Sequence, residues 1–394
     1  MDTEALQTKF IKEHFNFVDY KEITIGTKFV RKKKGAKRVI CEKAESFFYI
    51  PIIESLQQLL LNDRISAMVL KKPNMHKSGV FYDMHDGSIY QRDNFFDEDR
   101  KSFLIILYHD ELEVCNPLGS KAGTHKLDLY YYTIGNISPK FRSKRCAVRL
   151  LAIANAKLVK KYGINCIMRP IIEDLQLLYN GRTMLINGVN QKIYGKVLMC
   201  AGDTLGQHYL GGFKEGVGVA FQKCRHCMCE FDEMQSNFVE ESFRLRTRQN
   251  YNRQCSEIEQ ASTKFVKKDL QTSYGINVRS ALCELPTFDV TKQLPQDIMH
   301  TLLEGTVQYE VRFVLLHFIQ SGSITLNQIN GAIANHAYGY SEVSDKPGPL
   351  KESVFFGIDR FGIQSSPGSF ISTFVAFYYW TFSRQKQSSL YLSY

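Results

Sequence analysis

Two apolar runs, each leading into an aspartate, constrain this chain more than any other feature. Phe103-Leu104-Ile105-Ile106-Leu107-Tyr108 runs on to Asp110, and Val197-Leu198-Met199-Cys200-Ala201-Gly202 ends at Asp203. Runs this short and this apolar suit buried strands. Acids at the ends of such strands reach one sheet edge, where carboxylates can hold a divalent metal for phosphoryl transfer. The alternative is ordinary strand-end acids that cap a turn or a helix. Asp203, just before Thr204-Leu205-Gly206, has the form of a helix N-cap.

Around these runs the pattern reads strand, strand, strand, helix, strand across 102–202. Strands are predicted over Phe103–Val114, Leu127–Ile134 and Ala147–Ala154, with a turn at 116–120. Ile167, Ile171, Leu175 and Leu178 recur at helical spacing, and Asn180-Gly181 supplies the stop. Met184 to Ala201 supplies the last strand, after a hairpin through Gly188. The expectation is α/β: a mixed sheet core with helices packed on it, then a cysteine-containing loop region and a mostly helical C-terminal region. The predicted segments are 1–100 (an accessory region, with a helix after Pro51), 101–215 (the core), 216–295 and 296–394. In the last segment Asp297 to Gln320 is rich in β-branched and aromatic residues and reads as a long buried helix. Ser344 to Lys351 reads as a loop.

The net charge is +10 and the pI near 9.0, which favours a polyanionic partner, most simply nucleic acid, with a basic but solvated surface as the equal alternative. The densest basic run, Arg31-Lys32-Lys33-Lys34-Gly35-Ala36-Lys37-Arg38, has the composition of a nuclear-localisation signal or a phosphate-binding arm. The N-terminus lacks a signal-peptide pattern, and the ten cysteines lack the regular spacing of a disulfide framework, so a reducing compartment is expected. The longest apolar stretch, 370–382, is shorter than the roughly 20 residues a membrane span needs.

Two further constellations carry chemistry. Cys224-Arg225-His226-Cys227-Met228-Cys229 holds a Cys-x-x-Cys knuckle suited to tetrahedral zinc. Closure would need two more ligands from Cys200, Cys229, Cys255, Cys283 and His300, and buried free thiols are the alternative. Asp297, His300 and Glu304 fall at i, i+3 and i+7, one face of one helix. Asp297 can orient His300, and a satisfied acid at a helix start is the alternative.

Taken in order, YHDELEVCNPLGSKAGTHKL (108–127), AGDTLGQHYLGGF (201–213), CRHC (224–227), LRTRQNY (245–251) and QDIMHTLLEGTVQYE (296–310) resemble the CACTA-type (En/Spm-like) DNA transposases, in the version found in animal genomes. The resemblance covers roughly residues 45–380. It implies an RNase H-like catalytic core, in which one acid lies on the first strand and a second follows the fourth. Asp110 matches the first catalytic acid and Asp203 the second, together holding Mg²⁺ or Mn²⁺. Asp297 and His300 match the family's Asp-x-x-His signature, and Cys224 and Cys227 its cysteine pair, with structural Zn²⁺. The implied reaction is metal-dependent hydrolysis at transposon ends, then attack of the freed 3′-hydroxyl on target DNA. DNA as partner, a nuclear location and a homo-oligomer acting on paired ends follow from the same resemblance. Arg142, Lys144, Arg145, Arg244, Arg246 and Arg248 are the candidate phosphate contacts.

The departure from the family is at the third acid. The family places it on a later helix beyond an inserted helical region, whereas this sequence ends at Tyr394. A truncated copy is therefore expected, with Glu304 as the local substitute for the missing acid. A catalytically dead nucleic-acid-binding protein retaining the fold is the rival expectation.

Overall fold

The computed structural model describes residues 3–34, 37–71, 79–96, 100–115, 125–142, 144–338 and 348–356. The predicted turn at 116–120 and the apolar stretch at 370–382 lie outside them, as does part of the loop at 344–351. The chain divides into two compact units, Met1–Pro295 and Gln296–Tyr394.

The first unit is a mixed α/β structure built on one seven-stranded sheet. Its strands are β1 (Lys21–Lys34), β2 (Lys37–Tyr49), β3 (Ser102–Glu113), β4 (Lys126–Ile134), β5 (Arg149–Asn155), β6 (Arg182–Ile186) and β7 (Val189–Ala201). They lie in the order β1-β2-β5-β4-β3-β7-β6. Neighbours are antiparallel except β3 and β7, which run parallel. The helices are α1 (Glu4–His14), α2 (Ile52–Leu60), α3 (Asp63–Val69), α4 (Ser88–Gln91), α5 (Pro139–Arg142), α6 (Ala156–Tyr162), α7 (Ile164–Tyr179), α8 (Thr204–Leu210), α9 (Phe231–Ser236), α10 (Arg248–Glu259) and α11 (Lys264–Tyr274).

The apolar run of β3 becomes a central strand because Phe103 to Leu107 are all buried, on both faces of the sheet. Phe103, Ile105 and Leu107 join the main core with Tyr130, Tyr132, Val197 and Cys200 of the neighbouring strands. The helix α7 packs Ile167, Ile171, Leu175 and Leu178 into that core. Each such buried side chain contributes ~1.5–3 kcal/mol relative to exposure. The link from β6 to β7 is a two-residue turn in which Asn187 (φ 51°) and Gly188 (φ 76°) both take positive φ, the Asn-Gly hairpin geometry.

The N-terminal hundred residues, expected as an accessory region, contribute to the main sheet and core. Strand β2 pairs with β5 through Phe48 and Tyr49, and α2 buries Ile52, Leu56 and Leu60 in the main core. No apolar periodicity announced β1 and β2, because most of their length is polar. Likewise the segments expected to divide at 215 belong to one unit. The cysteine segment is tied to it by two buried arginines, Arg225 donating to the Leu294 and Pro295 carbonyls and Arg246 to those of Cys224 and Tyr274.

The second unit holds a wide-turn helical segment Met299–Thr306, then α12 (Val307–Gln320), α13 (Leu326–Asn335) and α14 (Glu352–Phe356). Its small core is Val311, Leu315, Ile329, Ile333 and Phe355. The single buried helix expected over 297–320 is corrected here. Gly305 takes a non-helical conformation (φ −101°, ψ −110°), and Met299, Leu302, Tyr309 and Phe313 are exposed.

Candidate active site

Two parallel neighbours, β3 and β7, create the site. Their ladder ends at the pair Tyr108↔Ala201, and Asp110 and Asp203 each lie two residues further on. Both acids therefore leave the same end of adjacent strands, whose spacing in a sheet is about 4.8 Å. Asp110 is exposed and still within β3, opposite Leu129. The Tyr108 hydroxyl donates to its Oδ2 over a long 3.5 Å. The Tyr131 phenol is pushed up, first by burial and then by the Asp110 charge.

Asp203 has a second role. It is the N-cap of α8, its Oδ1 accepting the Gly206 N–H at 2.6 Å. The turn from strand to helix passes through Gly202 at φ 153°, a conformation that side-chain-bearing residues rarely adopt. The N-cap expectation is thus met in the geometry, and it leaves Oδ2 to face other partners.

Immediately before Asp110 in β3 lies His109, which no motif in the sequence marks. Its buried ring sits between Tyr130 (4.9 Å) and Tyr209 of α8 (4.8 Å). Among the described residues, neither ring nitrogen has a hydrogen-bond partner. Burial pushes the imidazole down to about 4 against the opposing pull of Glu111 and Asp203, so it is neutral at pH 7. Next along the same face, Glu111 is paired across the ladder with Asp128. Asp128 is 2% exposed and accepts the Tyr209 hydroxyl at 3.1 Å. Burial raises its carboxyl to about 6, with Glu111 and Glu215 adding repulsion. Lys126 offsets part of this charge through Glu111 at 2.7 Å. Because side chains alternate along a strand, Asp110 leaves the opposite face of β3 from His109 and Glu111.

The cysteine segment presents neighbouring thiols. Cys227 Sγ lies 3.1 Å from Cys229 Sγ, and Cys224 accompanies them. The hydrogen bond between Cys224 and Cys227 pushes the Cys224 thiol up, helped by burial, and lowers that of Cys227. His226 points elsewhere, its Nδ1 2.9 Å from the Thr291 carbonyl. Of the other candidate ligands in this unit, Cys255 and Cys283 lie close enough to interact with each other. Cys200 is buried in the sheet core, while Cys255 and Cys283 are pushed by burial to about 11 and about 12. Among the described residues, no group of three or more His, Cys, Asp or Glu side chains is arranged to hold a metal ion.

In the second unit the Asp297, His300 and Glu304 constellation is brought together. His300 Nδ1 is hydrogen-bonded to Asp297 Oδ2, and its Nε2 lies 4.0 Å from Glu304 Oε2. Burial works against the Asp297 charge, but the His300 hydrogen bond and the N–H groups of Met299 and His300 outweigh it and lower the carboxyl.

The expected phosphate contacts divide. Lys144, Arg145, Arg244 and Arg248 are exposed. Arg246 is not available, since its guanidinium is buried against Gln254 and two carbonyls and lies over the Phe213 ring. Arg142 is held by Asp83 in a two-point ion pair (2.8 and 2.6 Å) and by two carbonyls. No protein-family model matches this sequence, and no curated protein matches it.

Proposed function

We propose that the first unit is an RNase H-like core and that the protein is a transposase-derived DNA-processing enzyme. The observation that carries this is the placement of Asp110 and Asp203 at the same end of adjacent parallel strands. Supporting it is the connectivity: the antiparallel run β3-β4-β5 returns through α7 to β7, set parallel beside β3. Asp110 then sits on the first strand of that run, and Asp203 follows β7, the fourth once the edge strand β6 is set aside, which is the arrangement that the resemblance to CACTA-type transposases implies.

In this reading Asp110 and Asp203 would hold Mg²⁺ or Mn²⁺, which supplies charge neutralisation at the scissile phosphate and a more acidic attacking water. The Asp203 cap fixes one ligand through α8, and the Tyr108 hydroxyl orients the other. His109, neutral and packed between tyrosines, adds no positive charge beside Asp203 at pH 7. Exposed Lys144, Arg145, Arg244 and Arg248 would contact DNA phosphates. Transposon ends and target DNA are the substrates, with the nucleus as location and a homo-oligomer as the working form. Zinc on the thiols of Cys224 and Cys227 would be structural.

A second reading is a DNA-binding protein that keeps the fold without cleavage. The N-cap favours it, because capping alone accounts for an aspartate at 203. Nicking of supercoiled plasmid in Mg²⁺ or Mn²⁺ separates the two. Activity abolished by Asp110→Asn supports the enzyme, and activity retained in that variant refutes it.

A further inference from the structure

The strands β1 and β2 form a hairpin much longer than the sheet requires. Only Phe48 and Tyr49 of β2 pair with β5, yet the β1–β2 ladder continues to Lys34↔Lys37. The root is seated firmly. Glu45 accepts from Lys161 and Tyr162 and faces Lys28, and these partners hold its carboxyl down at about 2. At Gly26 a Cβ would come within 2.1 Å of the Tyr162 hydroxyl, so the α6 tyrosine packs on bare backbone there.

Beyond that root the ribbon is on its own. The pairs from Phe29↔Glu42 to Lys34↔Lys37 extend about 20 Å at ~3.4 Å per residue. Among the residues whose side chains are described, Phe29–Lys33 and Arg38–Glu42 make no side-chain hydrogen bond or ion pair to the body. Cross-strand partners share a face, so Arg31, Lys33 and Arg38 project from one side together with Phe29, Ile40 and Glu42. On that side Phe29 is 77% and Ile40 68% exposed.

Such an arm is poorly arranged for its own stability. An isolated two-stranded ribbon is marginal in water, and like charges directly opposite, as at Lys33↔Arg38, destabilise it further. A polyanion would relieve that repulsion. We infer that this arm is a double-stranded-DNA docking element, inserted as a β-ribbon into the major groove. The groove, about 12 Å wide, admits a two-stranded ribbon. Arg31, Lys33 and Arg38 meet phosphates and base edges, and the exposed Phe29 and Ile40 meet thymine methyls. Duplex RNA is the poorer partner, because its major groove is too narrow for side chains to read. The arm shares DNA with the proposed enzyme but none of its chemistry.

The test is fluorescence anisotropy of the full chain with a labelled 24-base-pair DNA duplex, in EDTA, across a salt series. The triple variant Arg31→Ala/Lys33→Ala/Arg38→Ala should lower the salt slope by up to roughly 2.7, about 0.9 for each lost phosphate contact. Its affinity at 0.1 M salt should fall at least roughly tenfold. An unlabelled RNA duplex of the same sequence should compete at least tenfold less well than the DNA. An unchanged slope and affinity, in a variant with wild-type circular dichroism, overturns the inference, and so does equal competition by RNA. Cleavage is silent in EDTA, so Asp110-dependent nicking with a binding-neutral arm would sink this inference alone.

Discussion

Asp203 carries two roles that a pair of substitutions separates. Its Oδ1 satisfies the Gly206 N–H at the start of α8, while the charge of the carboxylate is what a metal would need. Asn caps a helix about as well as Asp but carries no charge, whereas Ala does neither. Asp203→Asn should therefore keep wild-type stability within ~0.5 kcal/mol and lose Mg²⁺-dependent nicking. Asp203→Ala should lose nicking and also about 1 kcal/mol of stability, in the range 0.5–2 measured for caps. For a unit of this size that is a fall in Tm of roughly 2 °C. Urea melts read the stability and plasmid relaxation the chemistry. Nicking by Asp203→Asn at the wild-type rate would refute the metal role, and an undiminished urea midpoint for Asp203→Ala would refute the cap.

Other outcomes follow from the same geometry. Asp128, raised to about 6 in the fold against about 3.9 in an unfolded chain, binds its proton more tightly when folded, so its contribution to stability is present below pH 4 and lost as pH rises through 6. Asp128→Asn should remove that fall and be more stable above pH 6 by up to about 3 kcal/mol, as urea midpoints at pH 4 and pH 7.5 would show. Gly212 has φ 71°, and a Cβ there would lie 2.0 Å from the Val278 carbonyl oxygen, so Gly212→Ala should cost more than ~3 kcal/mol in denaturant melts. The Tyr251 hydroxyl donates to Gly211 and accepts from the Ser280 N–H, and Tyr251→Phe should cost ~1–2 kcal/mol by the same measurement. Elemental analysis of purified protein should find zinc, reduced in Cys224→Ser; its absence from both would make the knuckle ordinary thiols.

What could be read from the sequence was what periodicity and turn chemistry encode. The strand ending near Asp110 and the helix carrying Ile167, Ile171, Leu175 and Leu178 stand where the apolar spacing placed them. The hairpin at Gly188 followed from a turn residue that favours positive φ. The N-terminal ribbon was illegible because it has no buried face over most of its length to generate an apolar pattern. Arg225 and Arg246, 1% and 2% exposed, were illegible for the opposite reason. Arginine is almost never fully buried without partners, and their partners are backbone carbonyls that no side-chain motif marks. His109 was hidden in plain view: its alternation with Ile105 and Leu107 placed it on the core face, a signal its neighbour Asp110 overshadowed.

The shared duty of Asp203 makes the two acids unequal in the face of drift. Asp110 is exposed on the last third of β3, and replacing it would cost the fold little. Asp203 begins a helix and cannot change to an apolar residue without loosening it. In lineages released from selection for cutting, position 110 should vary first, while 203 persists as Asp, Asn, Ser or Thr. An aspartate surviving at 203 is thus weak testimony to activity, and the residue at 110 is the more telling one.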